Sequence, residues 1–93
     1  MNTQDLAAAL AARTGLTRTA AEDTVSTLLD LIATEVTDGE KVTLPRFGVF
    51  EARHRAARAG RDPRTGEPIT VAARRVPVFR PSSAFRGRVD GRP

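Results

Sequence analysis

The hydrophobic positions of this sequence follow two different periods. Up to Gly39, apolar side chains recur every three or four residues, which is the spacing of one face of an α-helix. Asn2 is predicted to cap a first helix that ends at Gly15. Thr17 or Thr19 is predicted to cap a second helix, which Gly39 closes. The chain is therefore predicted to begin with two consecutive helices.

The second predicted helix carries one apolar stripe at helical spacing. Its members are Val25, Leu28, Leu29, Ile32 and Val36. Two helices joined by a short turn are also the arrangement of a DNA-reading helix-turn-helix. However, the polar side of the second helix is acidic and would repel phosphates, and an amphipathic stripe usually packs against a core. We therefore favour packing over DNA reading for this pair of helices.

Beyond the second helix, apolar and polar residues alternate, which is typical of β-strands. A short strand over residues 42–44 is interrupted by Pro45, and longer extended stretches are predicted over residues 47–55 and 69–79. Gly48 marks a bulge or a close approach of another part of the chain.

A turn and a third helix complete the predicted elements. The stretch "PRTG" at residues 63–66 has proline early and glycine last, as a type I turn prefers. Pro81 ends the last strand, and Ser82 or Ser83 is predicted to cap a short helix that runs through Val89.

The size of the chain points to a second subunit. At 93 residues the chain forms one domain, and a domain of that size buries only about two-thirds of the surface that its unfolded chain exposes. Its 40% hydrophobic content includes four Phe and neither Trp nor Tyr, so few large side chains are present for an interior. We therefore expect a dimer that shares its core.

The predicted dimer core combines the helical stripe with apolar strand residues. It comprises Val25, Leu28, Leu29, Ile32, Val36, Leu44, Phe47, Phe50 and Phe79. The three phenylalanines are also candidates for stacking on the bases of single-stranded nucleic acid. The valines beside them favour core packing, because Phe is predominantly buried in proteins.

Charge is divided sharply between two parts of the chain. The net charge is +4, but residues 1–45 hold three basic and seven acidic side chains, whereas residues 46–93 hold twelve arginines and four acids. The acidic body and the basic surface together indicate an anionic polymer as the partner. Arginine suits bidentate phosphate contacts and narrow minor grooves.

The basic part contains a hairpin without a hydrophobic face. Residues 55–61 are expected to pair with residues 67–73, and residues 53–75 hold seven arginines against two acids. A two-stranded ribbon of this kind is only marginally stable in water. It extends roughly 26 Å from its root to its turn, at about 3.3 Å per residue, which is enough to reach around a duplex. We expect the ribbon to be mobile until a polyanion binds.

Several functions are excluded by what the sequence lacks. Without cysteine, disulfides, thiolate metal sites and cysteine nucleophiles cannot form. His54 is the only histidine, and Asp62 and Glu67 flank a mobile turn that cannot hold a catalytic geometry. We predict no enzyme, no catalytic residue, no metal or other cofactor, and no small-molecule substrate. Neither a membrane span nor a signal peptide is recognised, so we expect a cytoplasmic protein without a membrane partner.

The stretches "RFGVFEARHRAARAGRDPRTGEPI" and "ARRVPVFRP" resemble the HU/integration host factor family of bacterial histone-like, DNA-bending proteins. The resemblance implies an α+β fold: an intertwined dimer with a helical base, a three-stranded antiparallel sheet as a saddle, and extended β-ribbon arms. In a single domain over residues 1–93, the helical dimerisation part would span residues 1–40 and the sheet and arm residues 41–81. The arm itself would span residues 55–75, and a short C-terminal helix and tail residues 82–93.

The resemblance also implies how DNA would be held. Pro63 at each arm tip would wedge between base pairs from the minor groove, a mechanism taken from HU and integration host factor. The DNA contacts of the family correspond along the arm to Arg53, Arg55, Arg58, Arg61, Arg64 and Arg74. Further contacts on the saddle and flank correspond to Arg46, Arg80 and Arg86.

Four features depart from the family pattern. Asp62 stands where asparagine usually precedes the tip proline, which places a carboxylate beside phosphates. Arg46 replaces a common glycine, and it either adds a phosphate contact or alters the entry to the strand. Ser82-Ser83 replaces glycine and a basic residue, and Thr3 replaces a frequent lysine. The flanks are therefore less basic than in the family, which leaves the length of bound DNA open.

Together these features predict an architectural, nucleoid-associated protein that binds double-stranded DNA as a homodimer or a heterodimer. It would bend DNA through minor-groove contacts, with little sequence specificity. The nearest alternative is a sequence-preferring subunit like that of integration host factor. An RNA-binding or packaging protein, and a module whose arms recognise an acidic protein, are further alternatives.

Overall fold

The computed structural model describes residues 1–91 and shows the predicted α+β fold. The helices in this range are α1 (Thr3–Thr14), α2 (Arg18–Thr37) and α3 (Ser83–Asp90). The strands are β1 (Val42–Leu44), β2 (Gly48–Arg55), β3 (Arg58–Arg61), β4 (Pro68–Val71) and β5 (Arg74–Pro81), all between α2 and α3. The end of the predicted C-terminal tail, residues 92–93, lies outside the described residues.

Local sequence signals set the ends of the first two helices. Asn2 caps α1: the Asp5 N–H donates to Asn2 Oδ1 over 2.9 Å, and the Asn2 N–H donates to Asp5 Oδ2 over 3.1 Å. This reciprocal pair is a capping box. Gly15 ends α1 in the left-handed region, at a φ of 77°. Thr17, the first of the two predicted cap residues, accepts a hydrogen bond from the Ala20 N–H at 3.1 Å at the start of α2.

The chain forms two compact units, Met1–Glu35 and Val36–Pro93. The first unit consists of α1 and most of α2, and its buried side chains are Ala7 and Ala21. Larger apolar side chains of α2 remain exposed. These are Leu28 (54% exposed), Leu29 (51%) and Leu31 (54%). A single copy of the chain therefore leaves much of its longest helix accessible to another apolar surface.

The second unit contains a three-stranded antiparallel sheet in the order β1-β2-β5. Gly48, the first residue of β2, faces Pro81 at the end of β5. A Cβ atom at Gly48 would lie 2.5 Å from the Phe79 ring and 2.6 Å from the Arg80 carbonyl oxygen. The predicted close approach is thus confirmed, and no side chain larger than that of glycine fits there.

All four phenylalanines of the chain pack together in this unit. Phe50 and Phe79 are cross-strand neighbours whose ring centroids lie 4.6 Å apart. Phe47 lies 5.3 Å from Phe79 and stacks on Phe85 of α3 at 4.9 Å. Phe47 remains 43% exposed. Because the rings contact one another, their packing role is favoured over the base-stacking alternative.

The arm is a separate two-stranded sheet formed by β3 and β4. The predicted pairing of residues 55–61 with residues 67–73 is wrong by one position, because Arg58 faces Val71 and Arg55 faces Arg74. The predicted strand over residues 69–79 is likewise divided into β4 and β5. The arm keeps the register of the three-stranded sheet, because two residues on each side, 56–57 and 72–73, separate the last pair of the sheet from the first pair of the arm.

Candidate nucleic-acid interface

The three-stranded sheet places four arginines on the face opposite its phenylalanine pair. Successive residues of a strand point to opposite faces. Arg53 and Arg55 of β2 therefore share one face, to which the register adds Arg74 and Arg80 of β5. The cross-strand phenylalanine pair belongs to the opposite face. We call the first surface, with these four arginines and Glu51, the basic face.

Glu51 lies at the centre of the basic face and is only 6% exposed. Arg80 donates to it twice, from Nε to Oε1 over 3.1 Å and from Nη2 to Oε2 over 3.3 Å. Arg53 donates from Nε to the same Oε1 over 3.1 Å. Lys41 places its Nζ 3.7 Å from Oε2. One carboxylate thus orders three cations on one surface.

The cations also set the ionisation of this carboxylate. The hydrogen bond from Arg80 is the largest cause that holds the pKa of Glu51 below its ordinary value, and burial opposes it. The role of Glu51 was not predicted from the sequence. Glu51 is the one acid between residues 41 and 61, and it lies two residues before Arg53. In a strand this spacing places both side chains on the same face, which would have indicated an ion pair.

At the root of the arm, three arginines lie around a break in the β-pairing. Arg55 directly faces Arg74, whereas residues 56–57 and 72–73 form no ladder pairs before β3 begins at Arg58. These three arginines line an open groove of about 510 Å³. Within residues 1–91 their guanidinium groups have no carboxylate partner. Like charges placed opposite each other on paired strands are destabilising, so an anion in this groove would relieve repulsion.

The tip of the arm differs from the predicted type I turn. In a type I turn over residues 63–66, the Gly66 N–H would donate to the Pro63 carbonyl. It donates instead to the Asp62 carbonyl, over 2.7 Å, so the loop is one residue longer. The Asp62 N–H donates in turn to the Glu67 carbonyl over 2.9 Å. Pairing of Asp62 with Glu67 leaves four residues for the loop, and Gly66 completes it with a φ of 73°.

Side chains brace the same loop and present Pro63 at its start. Asp62 Oδ1 accepts a hydrogen bond from the Arg64 N–H over 2.8 Å. Arg61 donates from Nη1 to the Gly66 carbonyl over 3.0 Å. The Asp62 carboxylate therefore has a structural role in the turn, and the Arg61 guanidinium is partly engaged within the arm.

Arg75 lies beside Arg74 in β5 but belongs to the opposite face of the sheet. It donates from Nη2 to the carbonyl oxygens of Val36 at 3.4 Å and Thr37 at 3.2 Å. The last carbonyls of a helix lack partners within the helix, and a basic side chain can satisfy them. Arg75 thus has a structural role at the end of α2, which the sequence did not indicate.

Two predicted contact residues lie outside the strands that carry the basic face. Arg46 is in the turn between β1 and β2, and Arg86 is in α3. Both are exposed. The structure therefore gathers four of the predicted DNA-binding residues on one sheet face, places Arg58, Arg61, Pro63 and Arg64 along the arm, and leaves these two apart.

No group of three or more His, Cys, Asp or Glu side chains in residues 1–91 is arranged to hold a metal ion. Over the same range, no helix is long and apolar enough to cross a membrane.

A known protein family shares this arrangement. The family described as bacterial DNA-binding protein matches residues 1–90. The chain belongs to this family, which includes HU and integration host factor. HU of Lactococcus lactis is 47% identical over 88 residues, which cover 95% of this chain and 97% of that protein. Integration host factor subunit alpha of Caulobacter vibrioides is 44% identical over 86 residues, which cover 92% of this chain and 86% of that subunit.

Solved structures of HU have the same fold. The HU chain in a cocrystal of Anabaena HU with DNA superimposes with a TM-score of 0.91 at 40% identity, covering 96% of this chain and 97% of that chain. The predicted HU fold of this family member is therefore confirmed for the single chain.

Proposed function

We propose that the protein is an architectural protein of the bacterial chromosome that binds and bends double-stranded DNA as a dimer. The basic face carries this proposal: four arginines collect on one side of a sheet whose other side carries the paired phenylalanines. Its relatives include HU proteins, one of which was crystallised with DNA. Because the cations are spread along the sheet and the arm, and the groove at the arm root is open and lined by three arginines, a polyanion fits this surface better than a small substrate does.

The exposed apolar surface supports the dimer. Leu28 and Leu29 of α2 are each about half exposed, and such side chains on one helix face normally pack when a partner is present. In the second unit, Phe47 is 43% exposed despite its stacking on Phe85. A second copy would cover these surfaces, and the predicted dimer core would then become an interior shared by two chains.

DNA binding would draw its free energy mainly from contacts between arginine and phosphate. Neutralising Z phosphates releases counterions, so log K should fall against log salt with a slope of roughly −0.9Z. The arm contributes Arg58, Arg61 and Arg64, and its small apolar content makes its order depend on the bound duplex. Opposed Arg55 and Arg74 at the root would be held together by a phosphate between them.

Pro63 would cause the bend. It begins the tip loop, which hydrogen bonds from Arg61 and to Asp62 hold in place. A smooth bend of a short duplex costs on the order of 1 to 6 kcal/mol, which the contacts along the arm must offset. An apolar wedge in the minor groove partly unstacks the bases and localises this deformation. Little sequence specificity is expected, because phosphate contacts position a protein without reading bases.

The proposal is tested by DNA-binding isotherms at stepped salt concentrations. We expect the Arg58→Ala variant to weaken binding to a random-sequence duplex by about three- to tenfold and to flatten the salt dependence. The control is Arg13→Ala in α1, which removes the same charge outside the sheet and arm. Binding that is insensitive to salt in the wild-type protein, or an equal loss in both variants, would refute the proposal.

A second candidate, a sequence-preferring subunit, is favoured by the 44% identity to integration host factor subunit alpha. Footprints on random DNA and on sequences enriched by selection separate the two functions. Uniform protection supports the architectural role, whereas protection of one enriched site supports the alternative. Competition between duplex DNA and structured RNA distinguishes both from an RNA-packaging protein.

A further inference from the structure

Leu31 of α2 is an exposed apolar side chain that the predicted dimer core does not include. It is 54% exposed. Successive residues of an α-helix are about 100° apart around the helix axis, so Leu31 lies roughly 100° from Ile32 and roughly 160° from Leu29. A second copy that packs on Leu29 and Ile32 to form the dimer therefore leaves Leu31 accessible to a different partner.

An open depression of about 400 Å³ lies beside Leu31 on the surface of α2. We call this surface the α2 patch, and it is lined by Asp23, Thr24, Thr27, Leu28 and Leu31. Leu28 lies about 60° from Leu31 around the helix axis, so it joins the patch to the predicted dimer core. The α2 patch thus offers leucine and threonine methyl groups together with one carboxylate.

Every charged side chain in this part of the chain is acidic. Residues 19–40 hold six acids and no basic residue. Asp23 in the α2 patch and Glu35, one turn after Leu31, form no ion pair within residues 1–91. An apolar surface beside unpaired carboxylates fits an occupant that is both apolar and cationic, because complementary charge selects the partner.

One face of the arm has this composition. In the arm ladder, Arg58 faces Val71 and Gly60 faces Ile69, so Arg58, Ile69 and Val71 share one face. A Cβ atom at Gly60 would lie 3.3 Å from Val71 Cγ2 and 3.9 Å from Ile69 Cγ1, so both side chains border the glycine. Ile69 is 44% exposed. The arm therefore has a small apolar face with an arginine on it, which was not predicted from the sequence.

We infer that, without DNA, the arm of one copy docks on the α2 patch of a copy in another dimer. Ile69 and Val71 would pack on Leu31, and Arg58 would pair with Asp23. The two surfaces are different parts of the same chain, so the contact is heterologous and can repeat from dimer to dimer. This inference goes beyond the proposed function. Only its last consequence rests on DNA binding: DNA would compete for the arm and disperse the assembly.

Sedimentation velocity of the full-length protein without DNA tests the docking. At about 0.05 M salt the average mass should rise above that of the dimer as concentration increases, and at about 0.5 M salt it should return to the dimer, because salt screens the ion pairs. Leu31→Gln should require about tenfold more protein to assemble and should remain a dimer at high salt. The control is Val89→Gln, which replaces a 75% exposed side chain outside both surfaces and should assemble like the wild type.

Charge reversal tests the proposed ion pair. Asp23→Arg and Arg58→Asp should each prevent assembly at low salt, because each places like charges opposite one another. The double variant, Asp23→Arg with Arg58→Asp, should assemble again. A double variant that stays dimeric would overturn the pairing of these two residues. A wild-type protein that stays dimeric at low salt, or equal losses in Leu31→Gln and Val89→Gln, would overturn the docking itself.

A short random-sequence duplex separates this inference from the proposed function. Added to the assembled wild type, it should restore the mass of a single DNA-bound dimer. If the wild type binds the duplex but never assembles without it, only the inference is wrong. If the wild type assembles but does not bind the duplex, only the proposed function is wrong. Assemblies that persist while the duplex is bound would overturn the competition for the arm.

Discussion

Arg80 holds the Glu51 carboxylate with two parallel hydrogen bonds across neighbouring strands, from Nε at 3.1 Å and from Nη2 at 3.3 Å. Arg53 donates to the same carboxylate. Two arginines proposed to bind phosphate are therefore neutralised in part by an acid of the same chain. A bidentate contact of this kind also fixes the geometry of the guanidinium.

The Glu51→Gln variant should bind DNA more tightly and fold less stably. Glutamine removes the negative charge, so Arg53 and Arg80 become available to phosphates, and affinity for random duplex DNA should rise about three- to tenfold at low salt with a steeper salt dependence. The melting temperature should fall because the charged hydrogen bonds are lost. Fluorescence anisotropy and thermal melts measure the two effects. Weaker binding would show that Glu51 serves DNA binding by orienting the arginines.

The stability contribution of Glu51 should also depend on pH. Arg80, the largest cause, holds the pKa of Glu51 below its ordinary value in the folded protein. The contribution is therefore complete above the ordinary glutamate pKa of about 4.3 and is lost as pH falls through the lower folded value. Melts of the wild type and Glu51→Gln should differ most near pH 7 and converge in acid. A difference that stays constant down to pH 3 would contradict this assignment.

Asp62→Asn should strengthen DNA binding without loosening the arm tip. Asparagine retains the Oδ1 acceptor for the Arg64 N–H, and it removes a negative charge from the loop that would face the duplex. We expect an affinity gain of about two- to fivefold that shrinks as salt rises. Asp62→Ala is the control, because it removes the same charge together with the hydrogen bond. Equal or weaker binding by Asp62→Asn would show that the carboxylate does not oppose phosphate.

Pro63→Ala should reduce the DNA bend while most of the affinity remains. The arginines of the arm still reach phosphates in this variant, whereas the rigid apolar ring that would part the base pairs is gone. Energy transfer between dyes at the two duplex ends measures the angle. Arg64→Ala serves as the matched control at the tip, since it should lower affinity more than the angle. A bend that Pro63→Ala leaves unchanged would eliminate the wedge.

Arg74 and Arg75 are neighbours with opposite expected roles. Arg74→Ala should weaken DNA binding several-fold and leave stability near that of the wild type, because Arg74 lies on the basic face opposite Arg55. Arg75→Ala should instead lower the melting temperature and leave the salt slope of DNA binding unchanged, because its guanidinium caps carbonyls of Val36 and Thr37. The same effect from both variants would contradict the division between the two faces.

Much of the fold could be predicted from the sequence because the interactions that determine it are local. The capping box of Asn2 and Asp5 and the helix-ending Gly15 each act within a few residues, so the helix ends were predicted correctly. The close approach at Gly48 was also predicted, although its cause, the Phe79 ring and the Arg80 carbonyl, became known only from the structure. The concentration of arginine in the second half needed no structure to indicate a polyanionic partner.

Strand register and contacts between distant residues could not be read in this way. Arg80 meets Glu51 across 29 positions, and Arg75 meets Thr37 across 38. A shift of one residue in register moves every side chain of a strand to the other face, so the choice between phosphate binding and a structural role depends on packing elsewhere. Amino-acid order therefore set which charges the chain carries and where its helices end. Only tertiary packing decided which arginines meet a carboxylate, a helix end or open solvent.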